Sequence, residues 1–139
     1  MMTNEEKREE VAPLYRVIDA NFNRFKEAIR VLEDLNRYIF NNREISKELK
    51  TVRHSVVFNQ EFSNELLKSR DIENDVLKKS LKVENIRKNI RDIMIANYRR
   101  GEESSRVLEE VFKLIDVELS EKFKESRYRL YSLEKRNLL

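Results

Sequence analysis

An all-α fold, a bundle of two long helical hairpins related by an internal pseudo-twofold repeat, is predicted by three features of this 139-residue sequence. One Gly and one Pro leave little material for hairpin turns or Gly-rich loops. Apolar residues, 40% of the chain, recur every three or four positions, and charged residues, another 40%, fill the positions between. A fourteen-residue segment also occurs twice.

The elements follow in order. Residues 1–13 form a polar segment or a short helix, with Thr3 placed to cap it ahead of Glu5 and Glu6 and Pro13 expected to interrupt or restart it. The rest, 14–139, reads as one helical domain. Apolar residues at 14, 17, 18, 25, 28, 32, 35 and 39 mark one face of a helix that ends near 40. Asn41 and Asn42 make a turn, and a second helix is expected from 44 to 67. Residues 69–80 break the pattern as a loop. A third long helix is expected from Ser80 to about 117, and Ser120 is placed to cap a last one reaching 136.

The repeat copies span about 14–68 and 83–136. Residues 20–33 (ANFNRFKEAIRVLE) and 96–109 (ANYRRGEESSRVLE) are identical at eight of fourteen positions, 76 residues apart. A weaker echo pairs Arg53 and His54 with Arg127 and Tyr128. Two copies at so long a period describe a duplicated hairpin, not a solenoid.

On a helical wheel Asn21 falls in the middle of its apolar face with Arg24 on the flank, and Asn97 and Arg100 do the same in the second copy. Glu27 and Glu103 fall near the edge. Arg30, Arg106, Glu33 and Glu109 drift toward solvent, where i,i+3 pairing is the default. A buried amide without a partner costs ~1–3 kcal/mol, and an uncompensated guanidinium costs more. Two explanations stand open. Each Asn–Arg pair satisfies itself and fixes register, or the pairs line a pocket whose anionic ligand the arginines clamp.

Composition excludes several chemistries. Too few glycines remain for a P-loop or a dinucleotide fingerprint. The absence of Cys removes disulfides, thiolate nucleophiles and Cys-ligated zinc, and fits a cytoplasmic location. With 29 basic and 26 acidic residues interleaved, no basic stripe marks a nucleic-acid partner, and no apolar run suits a membrane. The N-terminus is too acidic for a leader peptide. The single His54 is more often a packed or surface residue than a catalyst. Asp71, Glu73 and Asp75 cluster in the loop, where carboxylates are usually turn formers but also suit Mg²⁺ shared with substrate phosphates.

Residues 16–24 (RVIDANFNR), Glu27, residues 30–34 (RVLED), Arg53-His54, Ser69-Arg70-Asp71 with Asp75, residues 96–100 (ANYRR) and residues 106–110 (RVLEE) form an ordered set. Together they resemble the small all-helical hydroxymethylpyrimidine-phosphate kinase family, often fused ahead of thiamine-phosphate synthase. The resemblance implies ATP-dependent phosphorylation of hydroxymethylpyrimidine phosphate to its diphosphate in thiamine biosynthesis. It implies substrate contacts from Asn21, Asn97, Glu27, Glu103, His54 and Arg70. Arg24, Arg100, Arg53 and Asp71 are its catalytic candidates, and Asp71 and Asp75 its Mg²⁺ ligands. Asn74 and Leu77 stand where the family carries glycine, and Gly101, Ser104 and Ser105 make the two copies unequal. A chain this short has no room for a further (β/α)₈ barrel of ~250 residues, so it reads as a free-standing member or an excised domain. The competing expectation is a non-catalytic module that binds a pyrimidine phosphate or docks on thiamine-phosphate synthase. A homodimer is left open.

Overall fold

The computed structural model describes residues 1–79 and 86–139. Every regular element among them is helical: α1 (Asn4–Tyr38), α2 (Arg43–Arg53), α3 (Gln60–Ser69), α4 (Ile90–Phe112) and α5 (Val117–Leu138). The expected helix start at Ser80, the end of the 69–80 loop and the opening of the second repeat copy at 83 lie outside the described residues.

α1 begins on a capping box. The Thr3 hydroxyl accepts from the Glu6 amide at 3.1 Å, and the Glu6 carboxylate accepts from the Thr3 amide at 2.7 Å. Pro13 does not interrupt it, and α1 runs through in one piece. The lost N–H strands only one carbonyl, in a stretch whose neighbours are exposed and water-accessible. At the other end Asn41 takes a left-handed conformation (φ 51°) and Asn42 caps α2 through the Ile45 amide, so the expected Asn-Asn turn is present.

The expected 44–67 helix is two helices. His54 ends α2, residues 54–59 are not helical, and the Asn59 side chain starts α3 by accepting from the Phe62 amide at 2.7 Å. Val56 is buried inside that gap. The third helix begins later than expected, at Ile90 behind the Asn89 cap. Asp116, not Ser120, caps α5, accepting from Glu118 and Leu119. Ser120 is already inside the helix, and its hydroxyl donates to the Glu109 carbonyl at 2.7 Å.

The core lies where α1, α4 and α5 meet, with α2 and α3 laid across α1. Ile18, Phe25, Ile29, Leu32, Leu49, Tyr98, Leu108, Phe112, Phe123 and Leu130 are fully enclosed. Val17 and Ile39, expected on the buried face of α1, are 38% and 48% exposed, because the face that packs centres on Phe25, Ile29 and Leu32. Aromatic rings tie the elements together. Phe25 meets Phe123 edge-on at 5.7 Å, Phe123 stacks on Phe112 at 5.5 Å, and Phe58 from the gap packs on Phe22 at 4.3 Å. Where the first copy has Phe25, Ala28 and Ile29, the second has Gly101, Ser104 and Ser105. A Cβ on Gly101 would sit 3.1 Å from the Leu130 side chain and about 4 Å from Ala28 and Ile29. The small residues of α4 thus let it approach α1 closely. Ser104 and Ser105 return their hydroxyls to their own helix's carbonyls.

A polar knot closes one end of the bundle. The fully buried Asn36 of α1 and Asn137 of α5 exchange amide hydrogen bonds, both 2.9 Å, and the Tyr98 hydroxyl of α4 donates to Asn137 Oδ1 at 2.7 Å. Asn36 also donates to the Leu32 carbonyl. Every donor there has a partner, which is the condition for a buried network to specify one packing.

Candidate functional site

A cleft of about 420 Å³ opens between the middle of α1 and the segment that follows α3. Residues 16, 19, 20, 23, 24 and 27 line it from α1; their spacing of three and four puts them on one face. Arg70, Asp71, Ile72 and Asp75 line it from the other side. Arg70 ends α3 in extended backbone, which turns the chain toward α1.

Four pairings hold that segment in shape. Arg70 donates from Nε and Nη2 to both oxygens of Asp19, at 2.8 and 2.9 Å. Arg16 Nη2 donates to the Asp71 carbonyl at 2.8 Å. The Asp71 carboxylate accepts from the Asn74 amide at 3.2 Å and from Asn74 Nδ2 at 2.6 Å, while Asp75 Oδ1 accepts from the Leu77 amide at 3.0 Å. These bonds from Asn74 hold the Asp71 carboxyl below its usual range, so it stays an anion. The Asp19 carboxylate likewise raises the affinity of Arg70 for its proton. Arg24 and Glu27 border the same cleft and make no ion pair among the described residues.

The structure therefore brings together Arg24, Glu27, Arg70, Asp71 and Asp75, and places the other expected site residues elsewhere. Asn21 is buried but does not line the cleft; its Nδ2 donates to the Val17 carbonyl at 2.9 Å. Asn97 makes the same bond one repeat later, to Ile93 at 2.8 Å. Neither amide pairs with the neighbouring arginine, so the self-satisfied Asn–Arg pairing is not what the structure shows. Arg100 is exposed on α4, and Glu103 borders a different cleft with Glu102 and Glu134. His54 ends α2 at the surface, beside Arg53 and Phe58 in a smaller hollow of about 280 Å³.

Glu33 and Glu109 correct the expectation that they drift to solvent: they are 7% and 4% exposed. Glu33 receives both Nε and Nη2 of Arg53, the second at 3.1 Å, whereas Arg30 turns to Asp34. Glu109 receives Arg127 at 2.9 Å and Arg106 at 3.1 Å, so the expected i,i+3 pair forms only in the second copy. Arg53 and Arg127, the two residues of the weaker sequence echo, hold corresponding glutamates. Asp19 and Arg16 were not singled out by sequence reasoning. Arg16 and Asp19 lie within the 16–24 motif, three residues apart and eight before Arg24 and Glu27 respectively, a helical spacing that any solvated face shares.

No group of three or more acidic or His side chains able to hold a metal ion exists among the described residues. Of the four carboxylates that line the cleft, Asp19 is taken by Arg70, and Asp71 and Asp75 offer two from one segment, each with part of its accepting capacity already used. That donor set fits Mg²⁺ only in the mode where substrate phosphates and water complete the coordination.

A family model described as the ThiD2 family matches residues 16–136. The chain is 38% identical over 120 residues to a thiamine-phosphate synthase of Synechocystis, covering 86% of this chain and 34% of that protein. Thiamine-phosphate synthases of Nostoc (37% over 123 residues; 87% and 34%) and Rhodopirellula baltica (33% over 134 residues; 94% and 35%) are similar to it as well. The chain spans about a third of the length of these curated relatives. No solved structure matches it. No helix among the described residues is long and apolar enough to cross a membrane.

Proposed function

The chain belongs to the ThiD2 family, and on that premise we propose that it serves thiamine biosynthesis as a kinase, transferring a phosphoryl group from ATP to hydroxymethylpyrimidine phosphate. The observation that carries this reading is the gathering of Arg24, Glu27, Arg70, Asp71 and Asp75, drawn from separate sequence motifs, around one cleft. Its volume of about 420 Å³ lies in the range of small-molecule sites.

The chemistry asks for positioning and charge compensation more than for a base. The acceptor is a phosphate, already anionic at neutral pH, so its oxygen attacks the γ-phosphorus without first losing a proton. A P–O bond forms as the bond to the departing ADP oxygen breaks. Arg24, unpaired at the cleft edge, is placed to bind and orient the acceptor phosphate. Asp19 keeps Arg70 in register, and Arg70 in turn holds the Asp71–Asp75 segment over the cleft. Asp71 and Asp75 would hold Mg²⁺, which would supply neutralisation of charge on the phosphates. Glu27 faces the same space as an acceptor for the exocyclic amine of the pyrimidine.

The test is to incubate pure protein with Mg·ATP and the pyrimidine monophosphate and to measure diphosphate formation. Production of the diphosphate supports the reading. Thermal stabilisation by the pyrimidine phosphate without turnover would instead support a non-catalytic module of a longer synthase, which the one-third coverage of the relatives favours.

A further inference from the structure

A second cleft, of about 510 Å³, is distinct from the one described above. It runs between the C-terminal half of α1 and α2, and it is lined by Arg30, Arg37, Arg43, Lys47 and Lys50 with only two carboxylates, Glu33 and Asp34. That lining alone carries an excess of three positive charges, equal to the formal net charge of +3 of the whole chain. The remaining 24 basic and 24 acidic residues of the sequence balance in sum.

The carboxylates are also already committed. Glu33 is held by Arg53 behind the groove wall, and Asp34 lies near Arg30 at 3.8 Å. α2 is sorted by sign around its axis. Its Glu44 and Glu48 turn to the other side and are gripped by Arg136 of α5, at 2.9 and 2.7 Å. The side chains of Arg43, Lys47 and Lys50 are left facing the groove without an ion pair or hydrogen bond among the described residues. Holding like charges together without a counterion costs stability, and a groove of this shape concentrates anions.

On α1 the groove's lining begins just after that of the first cleft ends. Glu27 borders one and Arg30 the other. They are one turn apart on α1, a rise of ~4.5 Å. We propose that the groove binds the oligophosphate chain of a nucleoside triphosphate and points its terminal phosphate along α1 toward Arg24. Naming the nucleotide as the phosphoryl donor rests on the kinase reading; oligophosphate binding itself does not.

Calorimetric titration of the full chain with inorganic tripolyphosphate, ATP and adenosine, without Mg²⁺, tests this. Tripolyphosphate and ATP are expected to bind with similar Kd, adenosine not to bind, and affinity to fall steeply with salt. Each cation removed, in Arg43→Ala and Lys47→Ala, should weaken binding about tenfold. Lys124→Ala, an exposed cation on α5, should leave it unchanged, and no variant should melt below the parent. If the Arg43/Lys47 pair folds poorly, Lys47→Gln with Lys50→Gln replaces it. Unchanged tripolyphosphate affinity in the groove variants overturns the proposal, as does tighter binding of a single-stranded RNA oligonucleotide than of tripolyphosphate. The two readings fail separately. Groove-dependent tripolyphosphate binding without turnover of the pyrimidine phosphate removes the kinase and keeps the groove. Turnover with an unchanged KM for ATP in the groove variants does the reverse.

Discussion

Arg70 holds both carboxylate oxygens of Asp19, at 2.8 and 2.9 Å, and so ties the end of α3 to the middle of α1. The pair is half-exposed on the arginine side, with 41% of its side chain accessible, and exposed pairs contribute only ~0.2–1 kcal/mol. Its value lies in where it puts the next five residues. Arg70→Ala should therefore lower Tm by no more than a few degrees. It should lower kcat/KM for diphosphate formation by ~10–100-fold, the scale of a misplacement near 1 Å. Arg70→Lys, which keeps the charge but not the fork, should recover only part of this. Parallel melting and steady-state measurements decide the matter; full activity in Arg70→Ala would detach the segment from the site.

Arg53 is predicted to behave in the opposite way. Its guanidinium is committed to Glu33, with 15% and 9% of the two side chains exposed. Removing one member of such a buried pair strands the other and costs ~3–5 kcal/mol. Arg53→Ala should lower stability by that amount in chemical denaturation, whereas Arg127→Ala should cost less, because Arg106 still pairs with Glu109 at 3.1 Å. Replacing both partners, as in Glu33→Gln with Arg53→Met, should recover most of the loss. At a temperature where Arg53→Ala remains folded, its turnover should stay within a few-fold of the parent. A larger loss of turnover would return Arg53 to the chemistry.

The Asp71–Asp75 pair offers a test of the metal reading that does not disturb the fold. Asp75 is exposed, and its Oδ1 accepts only the Leu77 amide. Asp75→Asn keeps that acceptor and removes the charge. Tm should not change, while the Mg²⁺ concentration for half-maximal turnover should rise about tenfold or more, the worth of a charge-assisted contact. An unaltered Mg²⁺ dependence would remove Asp75 from the metal's ligands.

Much of this organisation was readable from sequence wherever a local rule decides it. Thr3 with Glu6, the Asn41-Asn42 turn and the apolar face around Phe25 and Leu32 are settled within a few residues. The break between α2 and α3 escaped, because Val56 and Phe58 sustain the apolar spacing through a stretch that is not helical. Glu33 misled for a related reason. A single-helix wheel puts it outside, but α2 folds back and covers it with Arg53. The site divides in the same way. Arg24, Glu27, Arg70, Asp71 and Asp75 carry recognisable motifs, whereas Asp19 and the basic groove are made by residues whose partners are distant in sequence or absent.

The unequal copies predict how α4 tolerates substitution. Restoring the side chain that the first copy carries, Gly101→Phe, would drive a ring into Leu130 and the Ala28–Ile29 face. Overpacking of this kind costs ~1–3 kcal/mol or more. Gly101→Ala should be nearly neutral: the gain of ~1 kcal/mol in helix propensity is offset by a Cβ 3.1 Å from the fully enclosed Leu130. Denaturant midpoints for the two variants check both signs. Tolerance of Phe at this position would mean that α1 and α4 are not held at close approach.

Glu102 gives the fold a pH dependence of its own. Burial, followed by the negative charge of Glu134, pushes its carboxyl up from 4.5 to about 8, against a weaker opposing pull from Arg99; Glu103 adds to the rise. Arg106 and Tyr131 complete the lining of that cleft. The folded protein therefore keeps a proton there that the unfolded chain releases near pH 4.5. Stability from this group is complete below the unfolded value, declines as pH rises, and is lost through about 8. Glu102→Gln removes the titration and keeps the shape. Its Tm should match the parent near pH 5 and exceed it at pH 9 by roughly 3–6 °C for each kcal/mol of relieved burial cost. Thermal melts of both proteins between pH 5 and 9 measure the difference. Curves that stay parallel across that window would show Glu102 already ionised in the native state, with its charge met by Arg99.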